Sequence, residues 1–170
     1  FGGHTRKSKV KIMDQGKKYI ERWIMEDLTP VDPDVGFALC PYAKKAWMDD
    51  RVKVVVCDGD LWDRVADECV NFDSKHAITV CIEEGPDKGY DELEAACMAM
   101  NSYFSATKQD LWVLVFEGEV AIIFIQRLSE LDDASQKLEK VGYYENYEPE
   151  DYIKLILTRR EKRMQNGQKS

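Results

Sequence analysis

Cys40, Pro41 and Tyr42 are the residues of this 170-residue sequence whose types and spacing point most directly to chemistry. Pro41 suits the first turn of a helix, where its missing N–H costs nothing, so the spacing predicts a helix that opens at Pro41 with Cys40 just before it. A thiol in that place faces the positive end of the helix dipole and unpaired backbone N–H groups. Such surroundings lower a cysteine pKa from about 8.5 into the range of roughly 3.5 to 7.5, and the thiolate is the nucleophile. Lys44 and Lys45 follow within one turn and add positive charge. Cys40 is therefore the candidate catalytic residue of a single-cysteine thiol enzyme, with Pro41, Tyr42, Lys44 and Lys45 as binding residues around it. The competing reading makes Cys40 a small apolar residue packing a loop beside two solvated lysines.

Other constellations carry less. Asp58-Gly59-Asp60 after a strand-like run has the spacing of carboxylates that share a divalent cation, but Asp and Gly are also what a strand-to-helix turn and a helix cap require. Asp132-Asp133 has the same helix-start explanation. The five cysteines form no C-x-x-C pair and the two histidines stand apart, so the sequence predicts free thiols, a reducing compartment, no metal and no cofactor. No glycine-rich phosphate loop occurs. Arg159 and Arg160, in a basic helix end, are candidate contacts for an anion or a partner. Tyr143, Tyr144, Tyr147 and Tyr152 cluster nearby, as core or as a partner surface of the kind rich in Tyr and Arg.

Two resemblances attach to the cysteine segment. Cys40-Pro41-Tyr42 resembles the active site of glutaredoxins, which implies attack on glutathione mixed disulfides. Ala43 stands where the resolving cysteine would be, and no proline occurs between Pro86 and Pro149 to serve as that fold's cis-proline, so the thioredoxin fold is not expected. Over residues 18 to 164 the chain is similar to an uncharacterised bacterial domain-of-unknown-function family. The shared text is Glu21-Arg22-Trp23-Ile24, Leu39-Cys40-Pro41-Tyr42-Ala43-Lys44, Val52 to Val56, Tyr90-Asp91-Glu92-Leu93 and Ile153-Lys154-Leu155-Ile156-Leu157. That resemblance implies a helix-covered sheet and no established activity. It departs in a longer, proline-containing loop before Cys40 and in lacking the family's His-Pro segment after the third strand.

The surrounding composition narrows the function classes. Twenty-four basic against 32 acidic residues give a net charge of −8, which argues against a nucleic-acid backbone as partner. The acids concentrate between residues 58 and 100, where twelve face only Arg64, Lys75 and Lys88. A protein partner is expected instead. Apolar runs are too short for a membrane span or a secretory leader, and the cytoplasm is the expected location.

Hydrophobic periodicity supplies the elements that must position these residues. Residues 1 to 12 read as a disordered basic arm or an added end, and residues 13 to 170 as one domain. Ile20, Trp23, Ile24 and Leu28 mark a first helix, and a short helix runs from Pro41 through Trp47. Strands at Val52 to Cys57 and Ala77 to Ile82 alternate with helices striped by Leu61, Val65, Cys69, Phe72 and by Tyr90, Leu93, Cys97, Met100, Phe104. Leu111 to Phe116 and Val120 to Ile125 form a hairpin. A helix capped at Ser129 ends at Gly142, and a last one starts near Pro149. The expected fold is α/β (α+β), a small mixed four-stranded sheet with helices packed on it, ferredoxin-like or related. The expected function is a non-enzymatic macromolecule-binding or regulatory module, with the Cys40 enzyme as the alternative.

Overall fold

Four short runs rich in β-branched and aromatic residues build the sheet, because such side chains pack well on a pleated surface. In the computed structural model, which describes residues 6–28, 41–83, 89–116 and 120–167, they are β1 (Val52–Val56), β2 (Ile78–Glu83), β3 (Trp112–Phe116) and β4 (Ala121–Gln126). The strand order is β1-β2-β4-β3. β1 and β2 are parallel, while β4 lies antiparallel to both β2 and β3. β2 and β4 are buried along almost their whole length without alternation, the pattern of central strands covered on both faces.

The helices are α1 (Arg6–Trp23), α2 (Pro41–Met48), α3 (Leu61–Val70), α4 (Tyr90–Ala106) and α5 (Leu128–Lys140). A C-terminal rod follows, made of α6 (Pro149–Tyr152), a π-helical turn Ile153–Leu157 and α7 (Thr158–Gln165). Its backbone stays in the right-handed helical region through both junctions. On one face of the sheet α1 and α2 bury Ile20, Trp23, Ala43 and Ala46 against Val80, Ile122 and Phe124. On the other, α3 and α4 bury Leu61, Val65, Leu93, Cys97 and Phe104 against Val55, Cys81, Ile123 and Ile125.

Several local details follow from chemistry visible in the sequence. The Asp60 carboxylate caps α3 by accepting from the Asp63 N–H at 3.0 Å, which gives Asp58-Gly59-Asp60 its turn-and-cap role. The chain leaves α5 through Gly142 at φ +80°, with the Tyr143 N–H returning to the Leu138 carbonyl.

α1 starts at Arg6 and takes in residues 6–12, which carry no proline or glycine to interrupt it. Two expectations change. The cap of α5 is not Ser129: the helix begins at Leu128, and Ser129 instead gives both its N–H (2.8 Å) and its hydroxyl (2.5 Å) to the Asp110 carboxylate. The strand and helix order β-α-β-α-β-β, with a parallel pair and helices on both faces, also differs from the β-α-β-β-α-β order of ferredoxin-like chains.

Candidate binding site

A cavity of about 400 Å³ lies where the α1/α2 face of the sheet runs out beneath α5 and the C-terminal rod. That volume falls in the range of roughly 300–1,000 Å³ typical of small-molecule sites. Its floor is the sheet, through Leu114 and Phe116 of β3 and Phe124 and Gln126 of β4. α5 contributes Leu131, Ala134, Ser135 and Leu138, and the rod contributes Ile156 and Arg159. Tyr42 enters from α2.

Tyr143, Tyr144 and Tyr147 complete the wall from the turn between α5 and α6. Their rings meet edge to face, Tyr143 to Tyr144 and Tyr144 to Tyr147 each at 5.0 Å between centroids, and Tyr152 adds a fourth ring 5.8 Å from Tyr144. Such geometry suits the ring quadrupoles and holds the wall stiff. Of the cluster Tyr143 is buried, Tyr144 and Tyr147 are half-buried and line the cavity with it, and Tyr152 is half-buried outside the lining.

The polar groups differ in how far they are already engaged. The Tyr42 hydroxyl donates to Glu130 Oε2 at 3.2 Å; burial, and next the charge of Glu130, push this phenol above its ordinary range, so it stays protonated. Arg159 is buried and donates from Nη2 to Ser135 Oγ at 3.2 Å, while that hydroxyl donates to the Leu131 carbonyl at 2.9 Å. Gln126 is only 3 % exposed, lines the cavity, and its amide makes no hydrogen bond among the described residues. Neither of its polar atoms is among the fully enclosed unpartnered ones, so the amide keeps accessible surface on the cavity side, where an entering group can pair with it.

Of the residues singled out in the sequence, the structure brings Tyr42 and Arg159 to this one cavity. Pro41 opens α2, as its chemistry requires. Lys44 is exposed, and Lys45, also exposed, pairs with Asp49 at 2.7 Å, so neither reaches the cavity. Arg160 points into an ion network instead, 3.4 Å from Asp132 and 3.0 Å from Glu139. Cys40 lies outside the described residues. Cys57, Cys69, Cys81 and Cys97 are free thiols in the core under α3 and α4, away from the cavity. Among the described residues no group of three or more His, Cys, Asp or Glu side chains is placed to hold a metal, and no helix is long and apolar enough to cross a membrane.

Sequence reasoning missed Gln126. The available signal was a single polar residue closing the apolar run Ala121–Gln126, at the even position that shares a face with Ile122 and Phe124. No family model, curated protein or solved structure matches the chain.

Proposed function

We propose that the protein is a non-enzymatic regulatory binding module whose working element is the tyrosine-walled cavity, where it takes an aromatic or apolar group. The observation that carries this reading is the conjunction of a preformed cavity of about 400 Å³, a stiff aromatic wall and one lining amide, on the buried residue Gln126, that makes no hydrogen bond among the described residues. Apolar walls with a few placed polar groups are the usual make-up of ligand sites. Naphthalene is a suitable probe, followed by saturation-transfer NMR and by shifts of the Gln126 side-chain amide. Saturable binding is expected in the native protein and its loss in Ala134→Trp, which fills the cavity from α5. Absence of binding to the native protein, or unchanged binding by a folded Ala134→Trp variant, overturns the reading.

A thiol reaction at Cys40 is a second reading, favoured by the start of α2 at Pro41. It requires that iodoacetamide modification of Cys40 show an inflection well below pH 8 in the native protein. An inflection near 8.5 sinks it.

A further inference from the structure

The identity of the unpaired group narrows what the cavity selects, on the premise that the cavity is the binding element proposed above. We propose that the cavity selects a planar aromatic ligand bearing a cis-amide edge, that is, one ring N–H beside one ring carbonyl, paired with the side chain of Gln126. A primary amide presents an acceptor oxygen beside two N–H donors, so it pairs at two points with a group that offers one donor and one acceptor side by side. A lactam ring has that edge and a flat apolar body for the Tyr143 and Tyr144 side.

Other ligand classes fit less of the site. A hydrocarbon fills the volume and leaves the Gln126 amide desolvated and unpaired. A carboxylate offers acceptors alone, so it satisfies the amide nitrogen and sets its own oxygens against the Gln126 oxygen. It must also be desolvated near Glu130, whose carboxylate already holds the Tyr42 hydroxyl. Arg159 would favour an anion, but its Nη2 is already directed at Ser135. A neutral ligand with both functions on one edge meets the whole amide. Sites built to hydrogen-bond a substrate reject analogues that lack the group far more strongly than apolar walls discriminate by shape.

The test compares three bicyclic probes of similar size, quinazolin-4-one, naphthalene and 2-naphthoate, by titration calorimetry or ligand-observed NMR. The native protein is expected to bind quinazolin-4-one roughly tenfold or more tightly than the other two. Gln126→Leu, which is one bond shorter, stays branched and apolar and removes the amide, is expected to reduce that preference to less than about twofold while still binding naphthalene. A preference for 2-naphthoate, equal binding of all three, or a preference that survives in folded Gln126→Leu overturns the inference and leaves the cavity as a binding site. Failure of all three probes on the native protein overturns both. Circular dichroism of each variant separates loss of selectivity from loss of fold.

Discussion

Asn101 pairs with the backbone of Val113 as a neighbouring strand would: its Oδ1 accepts from the Val113 N–H at 2.7 Å and its Nδ2 donates to the Val113 carbonyl at 2.9 Å. β3 is an edge strand, and Val113 turns these two groups away from β4. Exposed edges invite pairing with other chains, and here a helix side chain closes the edge from within the fold.

Removing that amide should therefore cost more than one ordinary hydrogen bond. Asn101→Leu leaves a buried donor and a buried acceptor unsatisfied, for a loss of about 2–4 kcal/mol. Urea unfolding measures the loss, and hydrogen exchange should show the Val113 amide losing protection. A loss below about 1 kcal/mol with protection intact would contradict this role.

Gly16 poses the opposite case to an ordinary helical glycine. Gly→Ala inside an exposed helix gains about 1 kcal/mol. A Cβ at Gly16, however, would stand 2.4 Å from Val56 Cγ2, and the branched Val56 side chain has little rotamer freedom to yield. Gly16→Ala should destabilise by about 1–3 kcal/mol, and the same substitution made in a Val56→Ala background should stabilise. A double-mutant cycle on thermal unfolding reads the sign change.

The ion network between α5 and α7 is keyed by Asp132, which is 1 % exposed and takes Arg163 Nη1 at 3.0 Å and Gln136 Nε2 at 2.9 Å. Asp132→Ala removes the one fully buried carboxylate of the network and leaves the Arg163 guanidinium with its exposed partner, so it should cost about 2–3 kcal/mol, the worth of buried hydrogen bonds to charged groups. Asp133 also meets Arg163, at 2.6 Å, from an exposed position. Asp133→Ala should cost about 1 kcal/mol or less. Equal effects of the two in denaturant titrations would refute the distinction.

Stability should fall on the alkaline side. Burial pushes the Cys69 and Cys97 thiols up to about 12, whereas unfolded thiols release their protons near 8.5. Between those limits the folded chain binds more protons than the unfolded one. The contribution is whole below about pH 8 and is lost as pH climbs toward 12, by about 1.4 kcal/mol per pH unit for each thiol. Urea unfolding at steps from pH 8 to 11 should show a shallower decline in Cys69→Ala/Cys97→Ala than in the parent; identical slopes would exclude the thiols as the cause.

Much of this architecture could be read before the structure, and what escaped did so for physical reasons. The alternation of β-branched runs with 3.6-period stripes located all four strands and the helix of Leu61, Val65 and Cys69. Tyr42 and Arg159 could be singled out by type, but not their meeting, because they lie 117 positions apart and only the packing of α2, α5 and the rod joins them. Gln126 and Asn101 were hidden within apolar stripes, where a polar residue reads as an interruption until its surroundings are known. Parallel pairing of β1 with β2 has no local signature at all.

The π-helical turn at Ile153–Leu157 sets the rotational phase of the C-terminal rod. It is closed by the Thr158 N–H and hydroxyl, which both donate to the Ile153 carbonyl. Upstream of its end, Tyr152 is keyed to Glu139 and Lys154 to Glu94; downstream, Arg159 is keyed to Ser135 and Arg163 to Asp132. One residue fewer in this turn would swing the second set by about 100° relative to the first. Both sets could not then engage together. The chain can exchange side chains along the solvent side of this rod, but its length there is fixed, and a shortened version would be a different molecule at its cavity wall.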